Sequence, residues 1–280
     1  HCKSADYISR MKRITMKIAG VALIMATTLP AVAQDNQSAT TAVPDRDRNL
    51  TFMTSKGWEW ELNAGLNIGG ATPLGMPREV RKVRTYNPKL NGSLEGKATK
   101  WWGADRRWGT SVGVKFETKA MKVDADVKSY HTEIIRDADR VSGYWTGFVD
   151  IDYDETFFTV PVTVDYRINN RWKVNAGVFF SVRTDGSFSG YVKDGYLRSG
   201  NPTGEKIVYS AKQRAAYEFD NDLRRTMWGV QLGGSWRAYR HFSVNGELSY
   251  SFNNIFRSGF NTVEESLHPL YFNIGFGYTF

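Results

Sequence analysis

Residues 270–280 read LYFNIGFGYTF, and this stretch decides the fold. Its even positions, Leu270, Phe272, Ile274, Phe276, Tyr278 and Phe280, are all apolar or aromatic. From Asn273 its odd positions, Asn273, Gly275, Gly277 and Thr279, are small or polar. An extended chain sends successive side chains to opposite faces, so the segment has one greasy face and one polar face. Soluble sheets alternate too, so the stretch gains meaning only if other segments repeat it in a pattern that closes.

They do. Working back to the first such segment, Trp58, Trp60, Leu62, Ala64, Leu66 and Ile68 oppose Glu59, Glu61, Asn63, Gly65 and Asn67. Further alternating segments lie at 90–99, 108–119, 158–168, 172–183, 228–237 and 242–252. Pro161 lacks the N–H a ladder needs, which predicts a bulge in its strand. Eight segments of roughly ten residues, each with a period of two, are the pattern of a transmembrane barrel. The expectation is an all-β chain forming a single eight-stranded antiparallel transmembrane up-and-down β-barrel with long extracellular loops.

The connections alternate short and long. Residues 103–107, 169–171 and 238–240 are tight turns, whereas 69–89, 121–156, 184–225 and 253–269 are long. Outer-membrane barrels keep short turns on the periplasmic side. The aromatic residues sort the same way: Trp58, Trp60, Trp101, Trp102, Trp108, Trp172 and Trp236, with Tyr166, Tyr239, Phe242, Tyr278 and Phe280, all fall at the short-turn end. An aromatic girdle at a membrane interface predicts this clustering; a soluble barrel with its apolar face inward does not. Phe280 is then expected at the periplasmic rim, closing the barrel against Trp58.

The polar faces must then line the lumen. They carry Glu59, Glu61, Glu95, Lys97, Lys115, Glu117, Asp165, Arg167, Lys173, Arg183, Arg237 and Glu247. An eight-stranded interior is just wide enough to be filled by side chains, so these charges are expected to pair into a plug. A conducting, porin-like pore would need more strands or a gap in that network.

The 280 residues have a mean hydropathy of −0.45, which excludes a bundle of membrane helices, each needing about 20 apolar residues. One shorter apolar run, Ile18 to Ala33, follows Met11-Lys12-Arg13 and ends Ala31-Val32-Ala33. A basic segment, an apolar segment and an A-x-A site predict a signal peptide over 11–33. Residues 1–10 read as upstream sequence from a misplaced start, 34–57 as a polar linker, and 58–280 as the barrel domain, exported to the cell outer membrane. Of 37 basic and 29 acidic residues, five and one lie in 1–33; the remaining 32 against 28 give about +4, too little to suggest a nucleic-acid partner. The single cysteine, Cys2, precedes the apolar run, so no disulfide framework is expected in the exported part.

Enzyme motifs are absent: there is no GxxxxGK[ST], HExxH or CxxC, and Gly186-Ser187-Phe188-Ser189-Gly190 has Phe where a nucleophile elbow needs Ser. Beyond 1–33 the histidines are His131, His241 and His268, and only His131 and His268 lie toward the long connections, with Asp137, Asp139, Glu264, Glu265 and Ser266 nearby in sequence. No catalytic residue and no cofactor is assigned. After Ala120 the apolar positions become Met121, Val123, Ala125 and Val127, and on the return Val149, Ile151 and Tyr153. Both strands are therefore expected to continue as a hairpin past the membrane, with bulges near 120 and 155 that re-aim the faces. The hairpin's polar face carries Asp124, Asp126, Asp150, Asp152 and Asp154, carboxylates that a Ca²⁺ ion, or Lys122 and Lys128, would neutralise. The first long connection is basic, with Arg78, Arg81, Lys82, Arg84 and Lys89 against Glu79, which suits the phosphorylated head groups of outer-membrane lipid and lipopolysaccharide.

The segments WELNAGLNIGG, GVKFETKAMKVDADVKSYHTE, DGSFSGYVKDGYLRSGNPTG and YFNIGFGYTF, spread over 58–280, resemble the PorT-type outer-membrane β-barrel proteins of Bacteroidota. The resemblance implies that Phe280 is the terminal signal read by the barrel-assembly machinery. It implies possible partners in a type IX secretion apparatus, and it brings no catalytic residues. The functions to be weighed are a structural or interaction protein at the cell surface, a secretion accessory, a surface hydrolase and a narrow pore.

Overall fold

The computed structural model describes residues 57–73, 78–89, 91–103, 105–136, 139–210, 212–260, 262 and 266–280, all within one compact unit, Asp45–Phe280. The signal peptide and nearly all of the linker expected from the sequence lie outside the described residues.

The strands are β1 (Trp58–Pro73), β2 (Val80–Asn87), β3 (Asn91–Trp102), β4 (Trp108–Arg136), β5 (Asp139–Arg167), β6 (Trp172–Ser199), β7 (Lys206–Tyr209), β8 (Ala215–Glu218), β9 (Thr226–Arg237), β10 (Phe242–Ser251) and β11 (Leu267–Thr279). Eight of them pair antiparallel in the order β1–β3–β4–β5–β6–β9–β10–β11, and β11 returns to β1. The closing seam runs from Glu61 opposite Thr279 to Pro73 opposite Leu267. With the ring closed, no strand in it presents an unpaired edge to lipid, the condition a spanning sheet must meet.

The burial pattern is that of a protein turned inside out. Phe276 is 70% exposed, Leu232 61% and Trp60 58%, while Glu59 is 1% exposed and Asp165 0%. An outward belt this apolar is stable only against another apolar medium. Trp58, Trp60, Trp102, Trp108, Trp172 and Trp236 stand outward in it at the short-turn end. Trp101 does not: one residue from Trp102, it takes the opposite face and is buried in the lumen at 3% exposure. The rim pairing also differs from expectation by two residues. Phe280 donates its backbone N–H to the Trp60 carbonyl at 3.0 Å, because the register set along the seam puts Trp60, not Trp58, across from it.

Residues 121–156 form the continuing hairpin expected from the sequence, with β4 and β5 each 29 residues long. The main departure is the connection over 184–225, which is largely sheet rather than loop, β6 alone running 28 residues. A tilted strand crosses a bilayer in about 9–11 residues. The excess forms an outer zone in which β2 takes the edge of β4 that β3 leaves free, from Val80 opposite Val127 to Asn87 opposite Lys122. β7 and β8 line β6, and β8 also meets β4 at Ile135 opposite Ala216, so the extended sheet curls back on itself.

The expected bulge near 120 is absent. The β4–β5 register keeps step from Trp108 opposite Tyr166 to Val127 opposite Gly147 and slips only before Tyr130. It also passes Pro161 without a shift, because Gly113 stands across from it: a Cβ on Gly113 would come within 3.1 Å of the proline ring. A slip does occur near 155, but in the β5–β6 ladder, between Thr156 and Phe157, with a second between Gly147 and Phe148.

The faces of β4 and β5 therefore do not turn over where they leave the belt; what changes there is the surrounding medium. Lys115, Glu117 and Lys119 point inward, and so do Met121, Ala125 and Val127 beyond them. In the belt the outside is lipid and the inside carries charge. Past it the outside is water, and the same inward face supplies an ordinary apolar core. That core contains Ile134, Trp145, Tyr153, Phe157, Phe188, Val192, Leu197, Tyr217, Phe219, Ile255 and Phe256.

Candidate functional site: a charge-filled lumen under an apolar cap

All twelve charged residues expected in the lumen line it, and the strands interleave acids with bases. At the short-turn end Glu59 receives Lys173 at 3.0 Å, Arg167 at 3.3 Å and Arg237 at 3.9 Å, and the Trp101 indole donates to it at 3.2 Å. The Arg167 guanidinium lies 4.0 Å from the Trp101 ring centroid. Lys173 also bonds Glu61 at 2.6 Å, to which Ser243 donates at 3.3 Å. Lys97 meets Asp165 at 3.0 Å, and Thr163 donates to the same carboxylate at 2.9 Å. Lys115 reaches Glu247 at 2.8 Å and Glu117 at 3.5 Å; Gln231 donates to Glu247 at 2.9 Å. Glu95 accepts from Asn63 at 3.3 Å.

Two members of this layer were not picked out in the sequence. Lys119, 3.0 Å from Glu117, holds its ammonium 5.4 Å from the ring centroids of Phe157 and Phe179 and 5.6 Å from that of Tyr271. Its odd position, in step with Lys115 and Glu117, was the available signal. Glu155, fully buried, accepts from the Tyr153 hydroxyl and lies 3.7 Å from Arg183. It was hidden because its stretch read as having changed faces.

Small residues let these groups approach. A Cβ on Gly277 would stand 2.4 Å from Asn63 Oδ1 and 2.5 Å from Ser243 Oγ. Among these groups lies a cavity of about 40 Å³ bordered by Glu61, Asn63, Glu95, Lys173, Asn175 and Asn245. That is room for roughly three water molecules. Asn175 Oδ1 and Asn245 Oδ1 have no protein partner, as fits a small hydrated pocket. The arrangement closes the lumen twice, first with matched charge and then, past Lys119, with the apolar core.

On the outward face of the outer zone three of the five aspartates meet cations. Arg84 bonds Asp126 at 2.7 Å, Lys122 bonds Asp150 at 3.0 Å, and Lys89 bonds Asp152. The basic first connection folds as β2 and supplies two of these three cations. Asp124 stands directly across from Asp150, while Asp154 stands across from Ala120. Among the described residues no group of three acidic, histidine or cysteine side chains converges as metal ligands. Burial holds the Asp150 carboxyl above the usual carboxylate range, with Lys122 opposing and Asp124 adding to the shift. Burial also raises the Tyr217 phenol well above its ordinary value, and its hydroxyl donates to the Asp150 carbonyl at 2.5 Å.

The histidines are dispersed. His131 Nδ1 lies 2.9 Å from the Thr262 carbonyl, His268 Nδ1 3.2 Å from the Ser251 carbonyl, and His241 Nδ1 2.7 Å from the Thr279 carbonyl. Asp137, Glu264 and Glu265 lie outside the described residues, as do the side chains of Arg136, Asp139 and Arg140.

A family model described as an outer membrane protein beta-barrel domain matches residues 32–257. Among curated proteins none matches. Solved structures similar to the chain include Ail, the attachment invasion locus protein of Yersinia pestis, at TM-score 0.34 and 12% identity, covering 80% of this chain and 97% of that one. Neisserial surface protein A has TM-score 0.32 and 12% identity over 80% and 97%. The outer membrane protein OprG of Pseudomonas aeruginosa has TM-score 0.34 and 12% identity over 80% and 97%.

Proposed function

The chain belongs to the outer membrane protein beta-barrel domain family, and from that premise we propose that it is a non-enzymatic interaction protein whose outer zone faces away from the cell. The observation that carries this is the change from charge to apolar core along one unbroken inward face, between Lys119 and Met121. A conduit needs a continuous polar path, and here the ion-paired lumen ends against Phe157, Phe188 and Tyr153. The material past the belt is a folded cap on strands, which suits a surface that binds.

Planar-bilayer recording of the purified protein is expected to give no conductance steps; stepwise conductance would overturn the sealed reading. Orientation is tested separately with a cysteine placed at Gly200, between β6 and β7. An impermeant maleimide is expected to label it on intact cells, and labelling only after lysis would reverse the assignment.

The finer reading adds the PorT-type resemblance, with a signal peptide over 11–33, assembly through Phe280, contact with outer-membrane lipid and lipopolysaccharide, and a possible accessory role in a type IX-like secretion apparatus of Bacteroidota. One of its segments, DGSFSGYVKDGYLRSGNPTG, forms much of the β6 extension that builds the cap. Pull-down from native outer membranes is expected to recover secretion components if that role is correct. Recovery of lipopolysaccharide alone would remove it.

A further inference from the structure

Resting on the outward orientation just proposed, we infer that the outer face of β4–β5–β6 is a binding site for a polyanionic polysaccharide. Between the two β6 bulges Tyr191 and Lys193 face outward, and past the second so do Tyr196 and Arg198, opposite the core residues Val192 and Leu197. The Phe148 and Tyr191 rings lie 6.0 Å apart, centroid to centroid. Lys193 sits over both, at 4.7 and 5.7 Å; Arg84 lies over Phe148 at 5.2 Å and Arg214 over Tyr191 at 4.6 Å. Farther along β6, Lys206 and Arg198 flank Tyr196 at 4.3 and 5.7 Å.

A ring face holds a cation in place without cancelling its charge. Arg84 is also neutralised by Asp126, and the exposed Asp194 lies close enough to act on it. Among the described residues, however, no carboxylate forms an ion pair with Lys193, Arg214, Arg198 or Lys206. Arg198 donates from Nη1 to the Gly204 carbonyl at 3.1 Å, which fixes its guanidinium; the ammonium and guanidinium charges of the four are positioned in advance for an external anion, which lowers the ordering cost of binding.

Height above the membrane selects the ligand. Phe158 is the last exposed large apolar residue of β5, and Phe148, outward but covered by cations, lies ten positions beyond it. At about 3.3 Å per residue and a tilt near 45°, the site stands roughly 23 Å past the belt. Lipid head groups extend only about 5–8 Å from the hydrocarbon. A chain carrying repeated sulfate, phosphate or carboxylate groups well outside the bilayer fits that position. Single-stranded nucleic acid binds largely by stacking bases on open aromatic faces, and here cations cover those faces.

The test is binding of dextran sulfate to the purified, detergent-folded protein, with uncharged dextran and single-stranded DNA as comparisons; because no cell is involved, its outcome does not depend on orientation. Dextran sulfate is expected to bind in a salt-dependent manner, uncharged dextran not at all, and DNA more weakly. Lys193→Gln with Arg214→Gln is expected to weaken dextran sulfate binding on the order of thirtyfold, at about a fivefold loss per cation. Lys100→Gln, at the short-turn end, is expected to leave it unchanged. Faster migration on an unheated gel identifies folded variants, and if the double variant misfolds, Lys206→Gln supplies a second arm with roughly a fivefold loss. Equal binding by the folded variants, no preference over uncharged dextran, or DNA binding as tightly as dextran sulfate would overturn the site.

Discussion

Lys173 is the place to break the lumen network. It is 5% exposed and holds two carboxylates, Glu59 at 3.0 Å and Glu61 at 2.6 Å, themselves 1% and 4% exposed. At an effective dielectric near 20, each attraction is about 6 kcal/mol before the cost of dehydrating the ions is subtracted. Lys173→Met affects the two acids unequally. Glu59 keeps Arg167 and Arg237, whereas Glu61 keeps the Ser243 hydroxyl as its hydrogen-bond donor. Removing one partner of a buried pair costs about 3–5 kcal/mol, because the remaining charge stays dehydrated and uncompensated. Glu61→Gln added to Lys173→Met removes that charge and should recover all but about 1–2 kcal/mol. The assay is urea unfolding from phospholipid vesicles followed by tryptophan fluorescence, with free energies from linear extrapolation. A single variant within about 1 kcal/mol of the parent, or a double variant no better than the single one, would refute the reasoning.

Two further outcomes follow from the outer zone. Phe188→Ala removes a fully buried ring that contacts Tyr153, Tyr217, Phe219 and Phe256, and should destabilise the cap by about 3–5 kcal/mol. Limited proteolysis should then cut the β6–β9 region while the barrel keeps its heat-modifiable migration; an uncut cap would count against a separately packed core. The Asp150 carboxyl is held high by burial, so the folded protein binds that proton more tightly than the unfolded chain does. Cap stability should therefore fall as pH rises from about 4, the unfolded carboxylate value, through the raised folded value, and then level off. Hydrogen exchange of β4–β5 amides across pH 4–7 should show this fall, and Asp150→Asn should flatten it; an unchanged slope in the variant would remove Asp150 as the source.

Much of the barrel was legible because a membrane strand shows both of its faces in the sequence. Lipid selects Phe272, Ile274 and Phe276, and the lumen selects Asn273, Gly275 and Gly277. The same parity placed all twelve lumen charges on the inward face. It also carried Lys119, which was left out of the lumen set, and Trp101, which was assigned by neighbourhood instead of by position in the alternation. Trp101 was grouped with Trp102 as girdle, although adjacent strand residues cannot share a face.

Past residue 120 the same rule misled, for a physical reason. Apolar residues at odd positions were read as strands that had turned over, on the assumption that apolar means outward. The strands had not turned; they had left the lipid, and in water the apolar face belongs inside. Alternation reports that two faces differ, but not which medium each one meets.

The sequence by itself determined the strand count of the ring, the direction of each face within the belt and the charges that fill the lumen. These follow from local periodicity and an environment uniform along the belt. The tertiary structure decided the rest: that β2 supplies Arg84 to Asp126 and, beside it, Lys89 to Asp152; that the connection over 184–225 becomes sheet; and that Phe148 and Tyr191 carry a row of cations. Each depends on residues brought together across tens to more than a hundred positions of chain, where pairing is set by register and closure, and no local pattern carries that information.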